Sequence, residues 1–436
     1  MEDKKINYGK KAIYKNSVLS LAFKIGSSFI SFFSAPLLLF VLGEEKYGAW
    51  ATLLSLVSWM YYCDIGIGGS MRNRVAASIA ENDYNKAKRY VSVSYAAISI
   101  ISIIILLIII IGTTLFDICG FFNINVEGEN LNLCIVIAFV FACLNFIISL
   151  SNNVLYATQE SATVGFFGVL AQSFFLVTIF VYSITGINAL IWVAAGEGIC
   201  QFVKNVIQHF YTYKKYPRLK ASFEDIDWSY SKDIMSLGIL MFLGQIAALV
   251  LNATDNLVIS RYISVASVTP YNFCYKFFNI INMVYVSLIT PLLSAYTMAY
   301  AKKDKQWIKR TLKKNVFLFS FFFVGLIVAM FIFEDFARIW LRKELAYERG
   351  LIAMVVLYFI LLMFNHIWNT FLSGAARIKE STIAVSIGTL LNIPVSIFLA
   401  ANVGLGTTGV IIGSIISLLP STIICPIITL KTVKKI

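Results

Sequence analysis

Apolar residues along this chain come in long runs without the alternation of a half-buried strand or a barrel wall. The run Ile98 to Ile111 is the plainest case. A closed barrel would instead show alternating segments of about ten residues. A helix rises about 1.5 Å per residue, so about 20 apolar residues cross the hydrocarbon core of a bilayer. Twelve runs meet that length: 16–42, 48–70, 90–113, 131–156, 162–184, 187–210, 234–261, 267–299, 312–334, 350–373, 380–401 and 407–430. The pattern predicts an all-α membrane protein with about twelve transmembrane helices. The lysine-rich start followed by an apolar run resembles a signal peptide, but the run from Ser17 to Leu42 is too long for one and reads as a retained first helix.

Composition agrees. Hydrophobic residues make up 59% of the 436 positions and charged residues 14%, against about a quarter charged in soluble domains. The net charge of +13 raises nucleic acid as a partner, and the placement of the basic residues removes it. The N-terminal tail, the connections after the second, sixth, eighth and tenth runs, and the C-terminal tail hold 28 of the 36, counting Lys204 with the connection after the sixth. The opposite connections hold six, and Lys24 and Lys276 fall inside spans. Cytoplasmic loops are the Lys/Arg-rich ones, so both termini are expected in the cytoplasm. The longest opposite connections, 114–130 and 335–349, leave no room for a soluble catalytic domain. The seven cysteines include no C-x-x-C pair and the histidines are only His209 and His366, so no zinc site is expected.

The two halves repeat. Ala80-Glu81-Asn82-Asp83 followed by Lys88-Arg89 returns as Ala301-Lys302-Lys303-Asp304 followed by Lys309-Arg310, at an offset of 221. Glu160-Ser161 returns as Glu380-Ser381, and Gly186 as Gly406, at an offset of 220. The expected organisation is a six-helix lobe over 1–212, a cytoplasmic linker over 213–232 and a second lobe over 233–436. Six helices per half makes the repeats parallel, related by a pseudo-twofold axis along the membrane normal. Transporters of that kind place the substrate site between the lobes.

Particular motifs extend this. Leu42-Gly43-Glu44-Glu45-Lys46-Tyr47-Gly48-Ala49-Trp50 precedes the second span, followed by Asp64-Ile65-Gly66-Ile67-Gly68, Arg72 and Arg74. Thr254-Asp255-Asn256-Leu257-Val258-Ile259-Ser260-Arg261 is followed by Tyr271 and Lys276. Over nearly the whole chain this resembles the polysaccharide exporters of the multidrug/oligosaccharidyl-lipid/polysaccharide superfamily, within it the O-antigen flippase (Wzx-like) type. The resemblance implies a two-lobed, twelve-helix fold and an undecaprenyl-diphosphate-linked oligosaccharide moved from inner to outer leaflet. It implies no direct ATP hydrolysis, and no G-x-x-x-x-G-K-[ST] phosphate loop occurs in the chain. Lipid II flippases of the superfamily have fourteen spans, which sets this chain apart from them.

Ionisable groups inside spans are costly and mark functional positions. Lys24 and Lys276 are expected to face the cavity and meet the diphosphate; the resemblance favours this, because family members carry functional cations in the first and eighth spans. Snorkelling is the alternative for Lys24. Arg72, Arg74 and Arg377 at the cytoplasmic mouth either recruit the diphosphate or are ordinary topology residues. Asp64, Glu197, Asp255 and Arg261 are coupling or gating candidates. For Asp64 the competing role is pairing with Arg72 or Arg74, or capping a helix break; for Asp255, an ion pair with Arg261; for Glu197, a packed neutral carboxyl. His366 reads as a polar packing residue, and Tyr61, Tyr62 and Tyr275 as sugar-stacking candidates. No cofactor is expected beyond a coupling proton or sodium ion. Expected partners are the lipid-linked oligosaccharide, membrane lipids and other polysaccharide assembly proteins, with the chain acting as a monomer. Two other readings compete: a cation-coupled small-molecule exporter of the same fold, which would want acidic cavity residues, and a membrane polysaccharide polymerase or ligase, which would want a large external loop.

Overall fold

The computed structural model describes residues 10–64, 66–124, 126–235, 249, 254–290, 292–375 and 377–435. The chain divides into two compact units, 1–246 and 247–436, and every element among the described residues is helical or a turn. Most of the expected span 234–261 lies outside the described residues.

In the first unit, α1 (Lys10–Tyr62) is one long element broken at Gly43, where φ is 75° and ψ 176°. Its apolar part covers 46 residues. At 1.5 Å per residue that is about 69 Å, more than twice the hydrocarbon thickness, so it makes two crossings. Backbone in that region is open essentially to glycine alone, and nothing crowds the absent Cβ. The conformation therefore demands Gly43. The second expected span stops at Tyr62 rather than at residue 70. Asp64 ends it: its carboxylate accepts the Gly66 N–H at 2.8 Å and the Gly68 N–H at 3.2 Å, with Gly66 at φ 73°. This opens a separate helix, α2 (Ile67–Ala80).

There follow α3 (Tyr84–Leu115), the short α4 (Ile118–Phe121), α5 (Leu131–Ile148), α6 (Leu150–Ala157), α7 (Ser161–Thr185) and α8 (Leu190–Lys215). The first half of α1 lies along α7, and α5 packs on both α8 and α3. The second unit holds α9 (Asp255–Tyr262), α10 (Val265–Ile289), α11 (Leu292–Ala301), α12 (Lys305–Leu341), α13 (Leu351–Gly374), α14 (Ile378–Ile397), a π turn (Phe398–Asn402) and α15 (Gly406–Lys435). The single expected span 267–299 is thus two helices.

Close helix approach in the second unit depends on small residues, which membrane helices use to bring backbones together. A Cβ on Gly409 would lie 2.7 Å from the Ala400 nitrogen, and one on Gly413 would lie 2.8 Å from the Ser396 Cα. The outward sides are apolar: Ile108 on α3 and Phe317 on α12 are 62% and 79% exposed. A water-soluble chain does not present such belts; a bilayer covers them. Eight stretches among the described residues are long and apolar enough to cross, the first of them being the doubled α1. With α10 and α14, which are interrupted by polar or irregular positions, the fold is an all-α membrane protein of about twelve spans.

The repeat reappears as backbone geometry. Asn82 and Lys303 both adopt left-handed φ, 60° and 54°. The following residues, Asp83 and Asp304, both cap a helix, accepting the N–H of Lys86 at 2.9 Å and of Trp307 at 3.0 Å. Gly186 and Gly406 are left-handed too, with φ 73° and 54°.

Candidate functional site

Each unit keeps ionisable groups in its interior, and they are satisfied differently. In the first unit, Lys24 is exposed on α1 and makes no ion pair among the described residues. Arg72 is exposed on α2, its guanidinium 5.1 Å from the centre of the Tyr156 ring. Arg74 is engaged, 3.9 Å from the Asp233 carboxylate. Neither arginine pairs with Asp64, which is the helix cap described above. The two capping bonds give Asp64 a structural role at the helix break.

Glu197 is half-buried on α8 between Gly196 and Gly198. Those glycines admit Tyr182 from α7 and Phe141 from α5, whose atoms would meet added Cβ atoms at 2.9 Å and 2.6 Å. The Tyr61 phenol lies within electrostatic reach of Glu197. That ring also packs edge-on against Phe146, with centroids 5.8 Å apart. The Tyr62 side chain lies outside the described residues.

Two turns along the same helix stands a residue that the charge count assigned to a loop. Lys204 is inside α8 and only 9% exposed. Its ammonium donates to Asn205 Oδ1 at 2.6 Å; Asn205 Nδ2 donates to Asn145 Oδ1 at 2.8 Å; Asn145 Nδ2 donates to the Gly198 carbonyl at 3.3 Å. Gln208 donates to Asn152. One signal was available beforehand: Lys204-Asn205, Gln208-His209 and Thr212-Tyr213 recur every four residues, which puts them on one helix stripe.

In the second unit Asp255 is buried at the start of α9. It accepts a hydrogen bond from the Tyr271 hydroxyl of α10, and from Ser414 Oγ of α15 at 3.2 Å. Asn392 of α14 backs this up, donating to Ser414 Oγ at 3.1 Å while its Oδ1 accepts from Thr254 at 3.3 Å. The ion pair with Arg261 does not form: the hydroxyls hold Asp255, and Arg261 is exposed at the end of α9. A buried carboxylate ringed by hydroxyls and an amide can take up a proton or a small cation.

Lys276 is half-buried on α10. Arg377 is half-buried, and its Nη1 donates to Thr432 Oγ1 of α15 at 3.1 Å. Tyr275 is half-buried and packs among Tyr271, Tyr358 and Phe359, with ring centroids 5.0 to 6.3 Å away. His366 lines a groove of about 250 Å3 with Val286, Thr290, Asn369 and Ser373. Among the described residues no cluster of three or more His, Cys, Asp or Glu could hold a metal.

A family model described as polysaccharide biosynthesis protein matches residues 13–297. The chain belongs to the polysaccharide biosynthesis protein family. It is of the Wzx-like flippase type that its motifs resemble, and a second model, MatE, matches residues 241–398. Two similar relatives are named for related work. A protein of Yersinia pseudotuberculosis named for O-antigen export is 26% identical over 419 residues, covering 91% of this chain and 90% of its own. One of Salmonella typhimurium (strain LT2) named as an O-antigen transporter is 20% identical over 386 residues, covering 88% of each. Among solved structures, an inward-facing multidrug-resistance MATE transporter of the MOP superfamily matches with a TM-score of 0.75 at 15% identity, over 96% of this chain and 98% of that one. A MOP transporter from Pyrococcus furiosus matches with a TM-score of 0.63 at 15% identity, over 100% and 99%. The polysaccharide biosynthesis family member described here is therefore a multi-pass transporter with a MATE-like fold, serving polysaccharide export, and not an enzyme.

Proposed function

We propose that this protein flips undecaprenyl-diphosphate-linked oligosaccharide, the repeat unit of O-antigen or a related surface polysaccharide. The movement runs from the inner to the outer leaflet of the bacterial cytoplasmic membrane, by alternating access, with both termini in the cytoplasm. The observation that carries the reading is the match along about nine tenths of both chains to relatives named for O-antigen export. A diphosphate crossing a low-dielectric passage needs countercharge, and Lys24, Lys276 and Arg72 supply cations for it. Arg74 and Arg377 are further candidates for recruiting it, each already bonded within its unit. Asp255 is the coupling carboxylate, for a proton or a sodium ion; Glu197 is its counterpart candidate in the first unit, and Arg261, in the last turn of α9, the gate. The working unit is one chain in its lipids, alongside other polysaccharide assembly proteins.

The MatE match over residues 241–398 favours a second reading, a cation-coupled exporter of small molecules. One experiment separates the two. The gene is deleted in its host, and surface glycan and the undecaprenyl-linked unit are followed with wild type, Lys276→Ala or Lys276→Arg restored. Loss of surface glycan with accumulation of the lipid-linked unit, uncorrected by Lys276→Ala and partly corrected by Lys276→Arg, is the expected result. Normal glycan with lost drug resistance would replace the flippase reading with the exporter one.

A further inference from the structure

The segment after α8 is not an idle connection. From Ser222 to Asp233 it carries Glu224, Asp225, Asp227 and Asp233 against one basic residue, Lys232. These acids lie along the opening turns of α3 and the face of α2. Lys88 pairs with Asp225 at 2.6 Å, Arg89 with Asp227 at 3.5 Å and Arg74 with Asp233 at 3.9 Å. The Tyr90 hydroxyl donates to Asp233 at 2.9 Å, and Arg89 also sits 5.9 Å from the centre of the Tyr230 ring. The Ser222 N–H donates to Ser92 Oγ at 3.1 Å. Two of the segment's aromatic side chains are left bare: Phe223 is 93% exposed and Trp228 51%. Aromatic residues left bare at the end of a transmembrane bundle favour the headgroup layer.

We infer that residues 222–233 form an acidic strap lying in the headgroup layer, whose carboxylates occupy Arg74, Lys88 and Arg89 until an anionic, phosphate-bearing lipid headgroup displaces them. Solvent-exposed ion pairs are individually weak, so a ladder of three can exchange one set of anions for another. A phosphate is a strong acceptor for arginine and lysine, and exposed Arg72 adds to the attraction on the same end. The strap's aromatic side would hold it in the interface while its acidic side lets go. The inference rests on the membrane-spanning fold, and on the proposed function only for which lipid is the physiological one.

Amide hydrogen exchange reads the strap directly. The full chain is placed in nanodiscs of phosphatidylcholine, of phosphatidylcholine with phosphatidylglycerol, or of phosphatidylcholine with undecaprenyl diphosphate, with α7 as the internal reference for folding. Exchange at Ser222 to Ser231 is expected to quicken roughly tenfold with an anionic lipid, the combined strength of three surface pairs. The double variant D225N/D227N is expected to exchange fast in phosphatidylcholine already and to respond no further. A response to both anionic lipids assigns bulk headgroups as the ligand; a response to undecaprenyl diphosphate alone assigns the lipid-linked diphosphate. Equal exchange in all three bilayers with α7 unchanged overturns the strap. Exchange is read without transport, so failure of the flippase reading would leave this result standing.

Discussion

The interiors of the two units solve opposite problems. The first buries a cation, Lys204, and meets it with a relay of amides from α8 and α5. The second buries an anion, Asp255, and meets it with hydroxyls from α10 and α15. The choice follows from donor and acceptor inventory. An ammonium has donors only, so it needs an oxygen whose own group can pass the polarisation on, which an amide does. An ionised carboxylate has acceptors only, and hydroxyls supply donors. Neither charge has an ion-pair partner among the described residues. A charge held by neutral dipoles still attracts an ion of opposite sign, whereas one in a tight pair is largely neutralised.

Breaking the second unit's arrangement should have the largest effect. Asp255→Leu strands the Tyr271 and Ser414 hydroxyls in the interior, each costing about 1–3 kcal/mol. The expected outcome is a clear fall in thermal unfolding temperature in detergent and loss of surface glycan on complementation. Asp255→Asn should keep most of the stability and still lose transport, because the amide carries no charge for a coupling ion. Unimpaired transport by Asp255→Asn would end the coupling role.

Next comes the amide relay. Asn205→Leu leaves the Lys204 ammonium without its acceptor and should destabilise by about 2–3 kcal/mol, measured by the same unfolding assay. Lys204→Met removes the charge and fills the volume, and buried charges replaced in this way are often neutral to stabilising. Its unfolding temperature should stay near that of wild type. The pair of variants therefore sharpens the comparison: if Lys204→Met is as damaging as Asn205→Leu, the ammonium is being used by something other than the amides.

The smallest effect is expected at the surface. The Ser229 hydroxyl and N–H, then the neighbouring Arg89, hold the Asp227 carboxyl below its usual range. A depressed value means the carboxylate's contribution is fully present above pH 3.8 and is lost as pH falls below it. In phosphatidylcholine alone, exchange at Ser229 relative to its intrinsic rate should therefore quicken as pH falls below 3.8, and Asp227→Asn should remove that acid step while leaving the helical bundle intact at neutral pH.

Much of this was legible in the linear pattern. Run length and the clustering of Lys and Arg depend on the bilayer alone, and they lead to about twelve helices. Turn chemistry is local, so the Asn82-Asp83 and Lys303-Asp304 turns and their shared caps could be read as a repeat. Asp64 as a helix cap was readable beside Gly66 for the same reason. The Gly409-x-x-x-Gly413 spacing was a further unused signal for the close contact of α15 with the π turn and the end of α14.

What the sequence could not decide was partnership. Lys204 borders a basic loop in the chain, yet it is buried, and the Asn205 side chain that accepts from it is itself held by Asn145 of α5, 60 residues away. Asp255 and Arg261 are spaced like an ion pair on one helix, yet Tyr271 and Ser414, 16 and 159 residues away, reach the carboxylate instead. Arg74 faces Asp233, again across a long stretch of chain. Hydrophobic length and local turn geometry are properties of contiguous residues and are written in order along the chain. The partner of a buried charge is fixed by which helix faces meet, and that was decided only when the units packed.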